Sequence, residues 1–144
     1  MVEILPASIR DLNDLRILER ICFPIDNWPL LDLIGVLSLP GIIRLKAIEN
    51  ESFIGFVAGT VNRRNSVGWI TTIAVHPEFQ NCGVAQKLLK ECEALMKIKT
   101  VKLTVRKSNS KAIHLYEKNG YFIQEVWNSY YIDGEDAILF QKSS

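Results

Sequence analysis

Apolar residues recur along this chain at two different periods, and the switches between them mark out its elements. Ile9, Leu12, Leu15, Ile17, Leu18 and Ile21 form a helical stripe over residues 8–22, after a short strand over 2–5. Pro24 and the Asp26-Asn27-Trp28-Pro29 cluster end that helix, and a second short helix is predicted over 30–37, stopped before Pro40. From Gly41 the period drops to two. Strands are predicted over 42–48, 53–62 and 68–75, with polar turns at 50–52 and 63–65, as an antiparallel meander. Gly55 and Gly59 inside the middle strand point to a bulge or a close backbone approach. Val84, Leu88, Cys92 and Leu95 give a helix over 83–97, with Lys87, Lys90, Glu91 and Glu93 off its apolar face. Val101, Leu103 and Val105 alternate with Lys102, Thr104 and Arg106, as a strand does. Ser108-Asn109-Ser110 offers N-caps for a helix over 111–118, which Asn119-Gly120 closes. Strands over 122–131 and 137–141, joined through Asp133-Gly134, complete the order β-α-α-β-β-β-α-β-α-β-β. The fold class is α/β, a mixed sheet with helices on its faces.

Size and charge narrow the function. The chain has 144 residues, 48% hydrophobic and 23% charged, with no internal repeat, linker or low-complexity stretch, so one domain over 1–144 is expected. A net charge of +1 leaves no basic footprint for nucleic acid. Cys22, Cys82 and Cys92 are odd in number, form no CxxC and have no paired histidines nearby. That argues against a disulfide framework and a metal site, and for a reduced, cytoplasmic setting. Residues 1–6 lack the basic and apolar segments of a signal peptide. The longest apolar tract, 28–45, carries Pro29, Asp32, Pro40 and Arg44 and is no membrane span. Whether the chain is a monomer or a homodimer is left open by its sequence.

The chemistry concentrates in Gln80-Asn81-Cys82-Gly83-Val84-Ala85, between a strand ending at Val75 and a helix. The first N–H groups of a helix lack intrahelical partners and carry the positive end of its dipole, so they can face phosphate oxygens. Gly83 has no Cβ to keep a pyrophosphate away. The same turn without a Walker lysine or a full GxGxxG also fits a plain helix start. Cys82 sits where a helix dipole lowers a thiol pKa, but no base accompanies it, so it is not read as a nucleophile.

Ile73-Ala74-Val75-His76-Pro77-Glu78-Phe79-Gln80, continuing through Asn81-Cys82-Gly83-Val84-Ala85, closely resembles motif A of the GNAT acetyltransferases: a strand end, a turn with Pro, then Q/R-x-x-G-x-G/A opening a helix. Residues 108–122, including Asn109, Ala112, His114, Tyr116 and Gly120, resemble the family's motif B. Both occur in the right order and spacing, and the element order matches the family over essentially the whole chain. Asn128-Ser129-Tyr130-Tyr131, Gly134-Glu135-Asp136-Ala137 and Cys22-Phe23…Trp28-Pro29 resemble the branch of ribosomal-protein alanine (RimI-like) and archaeal N-terminal acetyltransferases. The resemblance implies a mostly antiparallel sheet of about seven strands with a splayed parallel pair and about four helices.

It also implies transfer of an acetyl group from acetyl-CoA, without a metal, to the N-terminal α-amine of a protein or peptide such as a ribosomal protein. Backbone amides of 81–86, from Asn81 to Gln86, would hold the pyrophosphate, with Gln80 opening the loop. The family often has basic side chains where this chain has Asn81 and Gln86; Lys87 is the nearby cation. The backbone of Ile73, Ala74 and Val75 would pair with the pantetheine arm as an added strand does. Asn109 matches a cofactor-contacting position, and Ala112, one turn before Tyr116, leaves room for the arm. Tyr116 matches the general acid, since a phenol of pKa ~10 can protonate a leaving thiolate of a thiol near 8.5. Tyr130, Tyr131 and Trp28 fall on the substrate side. Thr104 stands where the bacterial members of the branch place a glutamate, so no base transfers from them; Glu19 on the first helix is the replacement candidate, acting through water, and a plain solvated helix glutamate fits it as well. His76 lies in the turn to the loop, and His114, two residues from Tyr116, points elsewhere. Two other functions fit the residues: acetylation of a small-molecule amine such as a polyamine or amino acid, and a catalytically weak acetyl-CoA-binding regulatory module.

Overall fold

The computed structural model of the chain describes residues 1–143. Seven strands and four α-helices follow in the order β1 (Glu3–Pro6), α1 (Leu12–Cys22), α2 (Leu30–Ser38), β2 (Ile42–Glu49), β3 (Ser52–Asn62), β4 (Val67–Val75), α3 (Val84–Met96), β5 (Thr100–Arg106), α4 (Ser110–Lys118), β6 (Phe122–Trp127) and β7 (Ala137–Ser143). The strands lie in the order β1-β2-β3-β4-β5-β7-β6. β1 with β2, β2 with β3, β5 with β7 and β6 with β7 pair antiparallel, and β4 with β5 is parallel, its ladder running from Val67↔Thr100 to Trp69↔Lys102. The chain divides into two compact units, residues 1–60 with 71–97 and residues 61–70 with 98–144.

In the first unit, the stripe predicted over 8–22 begins as a single 3-10 turn, Ile9–Asp11, before α1 proper. Ser8 and Asp11 form a capping box: Arg10 N–H donates to Ser8 Oγ, and Ser8 N–H to Asp11 Oδ2 at 2.8 Å. Lys46 Nζ reaches Asp11 at 2.9 Å and ties that helix start to β2. At the other end, Arg44 donates to the carbonyls of Val36 and Leu39, two of the groups that a helix C-terminus leaves without partners. Leu15 and Leu18 of α1 pack with Leu33, Val36 and Leu37 of α2 against Phe56, Ala58 and Ala74 of the strands. On α3, Val84, Leu88, Leu89, Cys92 and Met96 are buried, and Leu95, predicted on that apolar face, is half exposed. Gly55 answers the sequence expectation in two ways. The β2–β3 register slips at its neighbour Ile54, and a Cβ on Gly55 would meet Leu88 Cδ1 at 3.0 Å and the Ala74 carbonyl at 3.2 Å.

In the second unit, β7 lies between β5 and β6. Asn119 and Gly120 close α4 as predicted, by a Schellman arrangement: Gly120, at φ 92°, donates to Glu117 O and Tyr121 N–H to Tyr116 O. One boundary differs. The strand predicted over 122–131 ends at Trp127, and Tyr130 and Tyr131 lie in the loop before β7. Ser129 takes φ 50° and donates to the Asp136 carboxylate, and Tyr131 N–H donates to Glu135 O, so loop bonds replace the ladder there.

Candidate active site

The loop expected from the sequence to bind a pyrophosphate lies in the first unit. After β4, His76 begins a 3-10 turn, Pro77–Phe79, and its Nδ1 accepts from Glu78 N–H, so that ring nitrogen is occupied within the turn. Asn81 and Gly83 both adopt left-handed backbone, at φ 65° and 80°, and Val84 then opens α3. Asparagine tolerates this region and glycine prefers it, which is the local reason for this pair. No side chain caps α3. Its first internal bond runs from Lys87 N–H to Gly83 O, so the amides of Val84, Ala85 and Gln86 have no partner within the helix. Asn81, Cys82 and Gly83 are exposed, and a Cβ built on Gly83 would meet nothing within 4 Å. The loop is therefore open, and glycine is needed there for its conformation.

Two side chains of the loop are engaged within the chain. Gln80 Nε2 donates to the Val75 carbonyl at 3.2 Å and folds the loop back onto the strand. Lys87 Nζ donates to Val2 O at 3.1 Å. On β4, Ile73 is half buried and Ala74 and Val75 are buried; Val75 O accepts from Cys22 Sγ as well as from Gln80.

Glu19 is 2% exposed, on the buried face of α1 with Leu15 and Leu18, whereas its neighbours Arg20 and Ile21 are exposed. Its Oε1 accepts from Trp28 N–H at 3.2 Å, its carboxylate takes a further hydrogen bond from Thr72, and Oε2 has no partner. Burial raises its pKa above the ordinary carboxyl value, and the two hydrogen bonds pull back only part of that. Glu19 and Trp28, with Arg16, Arg20 and Leu33, line a cavity of about 140 Å³. Burial, then the charge of Glu19, pushes the Cys22 thiol up to about 11; burial takes Cys92 to about 12, so both stay as inert thiols near neutrality.

The second unit holds Tyr116. Its ring is 5% exposed, edge-on to Tyr121 at 5.8 Å and tilted against Phe140 at 6.0 Å. Burial raises its pKa, and the neighbouring Tyr131 adds to the rise. Asn109 caps α4, its Oδ1 accepting from Ala112 N–H at 3.2 Å, which leaves its amide N–H groups for other partners. Ala112 is half buried, Thr104 is half buried opposite Leu139, and His114 is exposed.

The paired tyrosines are held by a network that the sequence reading did not anticipate. Arg106, at the end of β5, lies 4.2 Å over the Tyr131 ring and donates to both oxygens of Asp133 and to Glu135 Oε1. Glu135 also accepts from Ser108, which with Arg106 holds its pKa below the usual carboxylate range; the Glu135 N–H, then Arg106, does the same for Asp133. Tyr130 is 54% exposed, 5.1 Å from Tyr131 and 5.3 Å from Trp127, an aromatic surface on a tethered loop. The one available signal was an arginine at a strand end with two carboxylates flanking Gly134.

The first unit carries a strand, an open loop and an uncapped helix, and the second buries a tyrosine on a capped helix; both belong to a mixed α/β protein. Residues 14–121 match the acetyltransferase (GNAT) family, to which the chain belongs; it is an N-acetyltransferase. It is 32% identical to the N-terminal acetyltransferase A complex catalytic subunit NAA10 of Arabidopsis thaliana, over 99% of this chain and 78% of that protein. An N-alpha-acetyltransferase of Saccharolobus solfataricus is 29% identical over 94% of this chain and 89% of its own length. The ribosomal-protein-S18-alanine N-acetyltransferase from Escherichia coli superposes with a TM-score of 0.87 at 26% identity, covering 99% and 94% of the two chains. Among the described residues no helix is long and apolar enough to cross a membrane, and no cluster of three or more His, Cys, Asp or Glu could hold a metal.

Proposed function

We propose that this chain, acting over 1–144 as one catalytic domain in the cytoplasm, acetylates the N-terminal α-amine of a protein or peptide using acetyl-CoA. The observation that carries the acceptor is the similarity, over 99% of the chain, to an N-terminal acetyltransferase catalytic subunit. The Escherichia coli neighbour's name makes a ribosomal-protein N-terminus a first acceptor to try. The open space at Gly83 and the uncapped start of α3 fit a pyrophosphate.

Bound acetyl-CoA supplies an activated acetyl carbonyl and a thiolate leaving group. Amides of Asn81, Cys82, Gly83, Val84, Ala85 and Gln86 hold the pyrophosphate, while Gln80 keeps the loop folded onto Val75. Backbone of Ile73, Ala74 and Val75, with Asn109 and Ala112, aligns the pantetheine arm. Trp28, Tyr130 and Tyr131 contact the acceptor. Glu19, through a water at its unpartnered Oε2, takes the proton that the amine loses as its nitrogen bonds to the acetyl carbon. Tyr116 gives a proton to the sulfur as the C–S bond breaks, and solvent later restores it.

A panel of substrates with acetyl-CoA tests this reading by mass spectrometry. The expected product is an acetylated α-amine on free N-terminal peptides. Acetylation confined to polyamines or free amino acids would establish the small-amine reading. Acetyl-CoA binding with no CoA released in the presence of any acceptor would leave a regulatory module, the reading that Thr104 keeps open.

A further inference from the structure

β6 is the last strand of the sheet order, so its outer side has no strand neighbour. Such edges are usually blunted by lysine, proline or a covering loop. β6 has no lysine or proline, and Phe122, Ile123 and Val126 are 52%, 52% and 47% exposed. Its register with β7 sorts the side chains. Ile123 and Val126 lie opposite Phe140 and Ile138, on the face that Tyr116 packs against; Phe122, Glu125 and Trp127 lie opposite Gln141, Leu139 and Ala137, on the other face. Trp127 Nε1 donates to Glu125 Oε2 at 3.3 Å along that second face. Gln124 is the extra residue of a bulge between Ile123 and Glu125.

Read from either end, the strand has one chemical order: aromatic, aliphatic, polar, polar, aliphatic, aromatic. We propose that β6 is a homodimer edge, on which a second copy of this chain pairs antiparallel about a two-fold axis perpendicular to the sheet. Phe122 then faces Trp127 of the partner subunit, Ile123 faces Val126 of the partner subunit, and Gln124 faces Glu125 of the partner subunit. A two-fold edge needs paired residues on the same face, because the axis does not exchange faces. In a regular strand Phe122 and Trp127, five apart, would point to opposite faces. The bulge at Gln124 restores them to one face, as it does Ile123 and Val126. Charge agrees with this choice of occupant. Glu125 is the only ionisable residue of β6, and in this register it meets a neutral amide. A foreign strand would need complementarity, not an order that reads alike in both directions.

Light scattering on the full chain, from low to several hundred micromolar, tests the proposal. The mass should rise toward twice the 16.4 kDa monomer. Ile123→Lys and Val126→Lys should each hold it at the monomer mass, with circular dichroism unchanged. Gln124→Glu places like charges opposite each other twice per dimer and should weaken association roughly threefold to tenfold, while Gln124→Lys should tighten it by a similar factor. A parent chain that stays monomeric throughout would overturn the proposal. So would a dimer indifferent to both lysine substitutions, or charge variants at Gln124 that move association in the same direction.

Discussion

Tyr116 is a phenol almost out of contact with water, and that changes what its hydroxyl can do. Burial and the neighbouring Tyr131 raise its pKa, so the proton is in place at any working pH. The same rise makes complete transfer to a free thiolate, of a thiol near 8.5, an uphill step. In the proposed role of acid, its useful act would therefore be donation as charge develops on sulfur. Tyr116→Phe keeps the ring against Tyr121 and Phe140 and removes only the hydroxyl. CoA release should fall by roughly 10²–10⁴ with the melting temperature nearly unchanged; unaltered turnover would remove Tyr116 as the acid. Glu19 titrates in a lower range. Its folded pKa is raised, so the folded state binds its proton more tightly than the unfolded chain does. Its contribution to stability is complete below the ordinary value of 4.5 and is lost as pH rises through the folded value. Glu19→Gln keeps an acceptor for Trp28 N–H and removes the charge. Its melting temperature should gain on the parent's as pH climbs from the ordinary carboxyl range toward neutrality, while acetyl transfer falls. A pH-independent difference in melting temperature would show that Glu19 does not titrate in this way.

At the scale of elements, the start of α3 is the most sensitive join. Gly83 holds φ 80° with open space above it, so an added methyl group meets no protein atom, only strain and any ligand. Gly83→Ala should cost about 1 kcal/mol of stability from the left-handed backbone. It should also weaken CoA binding several-fold by calorimetry; parent-like affinity would contradict a phosphate cradle at these amides. This join was legible because a helix start and a glycine are local features. The same holds for α4, where Ser108-Asn109-Ser110 and Asn119-Gly120 marked both ends. The loop after β6 was not legible. Tyr130 and Tyr131 continue a β-compatible stretch, and what stops the strand is Arg106, 27 and 29 residues away from Asp133 and Glu135 in sequence. Glu19 was named from the sequence, but its burial was hidden for the same reason. Nothing in its own helix turn shows that Trp28 and Thr72 enclose its carboxylate.

For the whole molecule, the open issue is how an acceptor is deprotonated when Thr104 cannot take a proton. The acceptor's own pKa decides how much help is needed. An α-amine near ~8 is already about 10% neutral at pH 7, whereas a lysine amine near ~10.4 is about 0.04% neutral, a difference of more than a hundredfold before the enzyme acts. A protein that relies on one buried glutamate working through water should therefore favour α-amines most strongly at low pH. Two peptides of one sequence separate the terms, one with a free N-terminus and no lysine, the other N-terminally blocked with a single lysine. Between pH 7 and 9 kcat/KM for the first should level off near the α-amine pKa. For the second it should keep rising, by about tenfold per pH unit, because the neutral amine grows at that rate below its pKa. Equal slopes for both peptides would mean that the enzyme, not the free amine, sets the protonation state of the acceptor. A stronger base than Glu19 would then have to be sought among the residues around it.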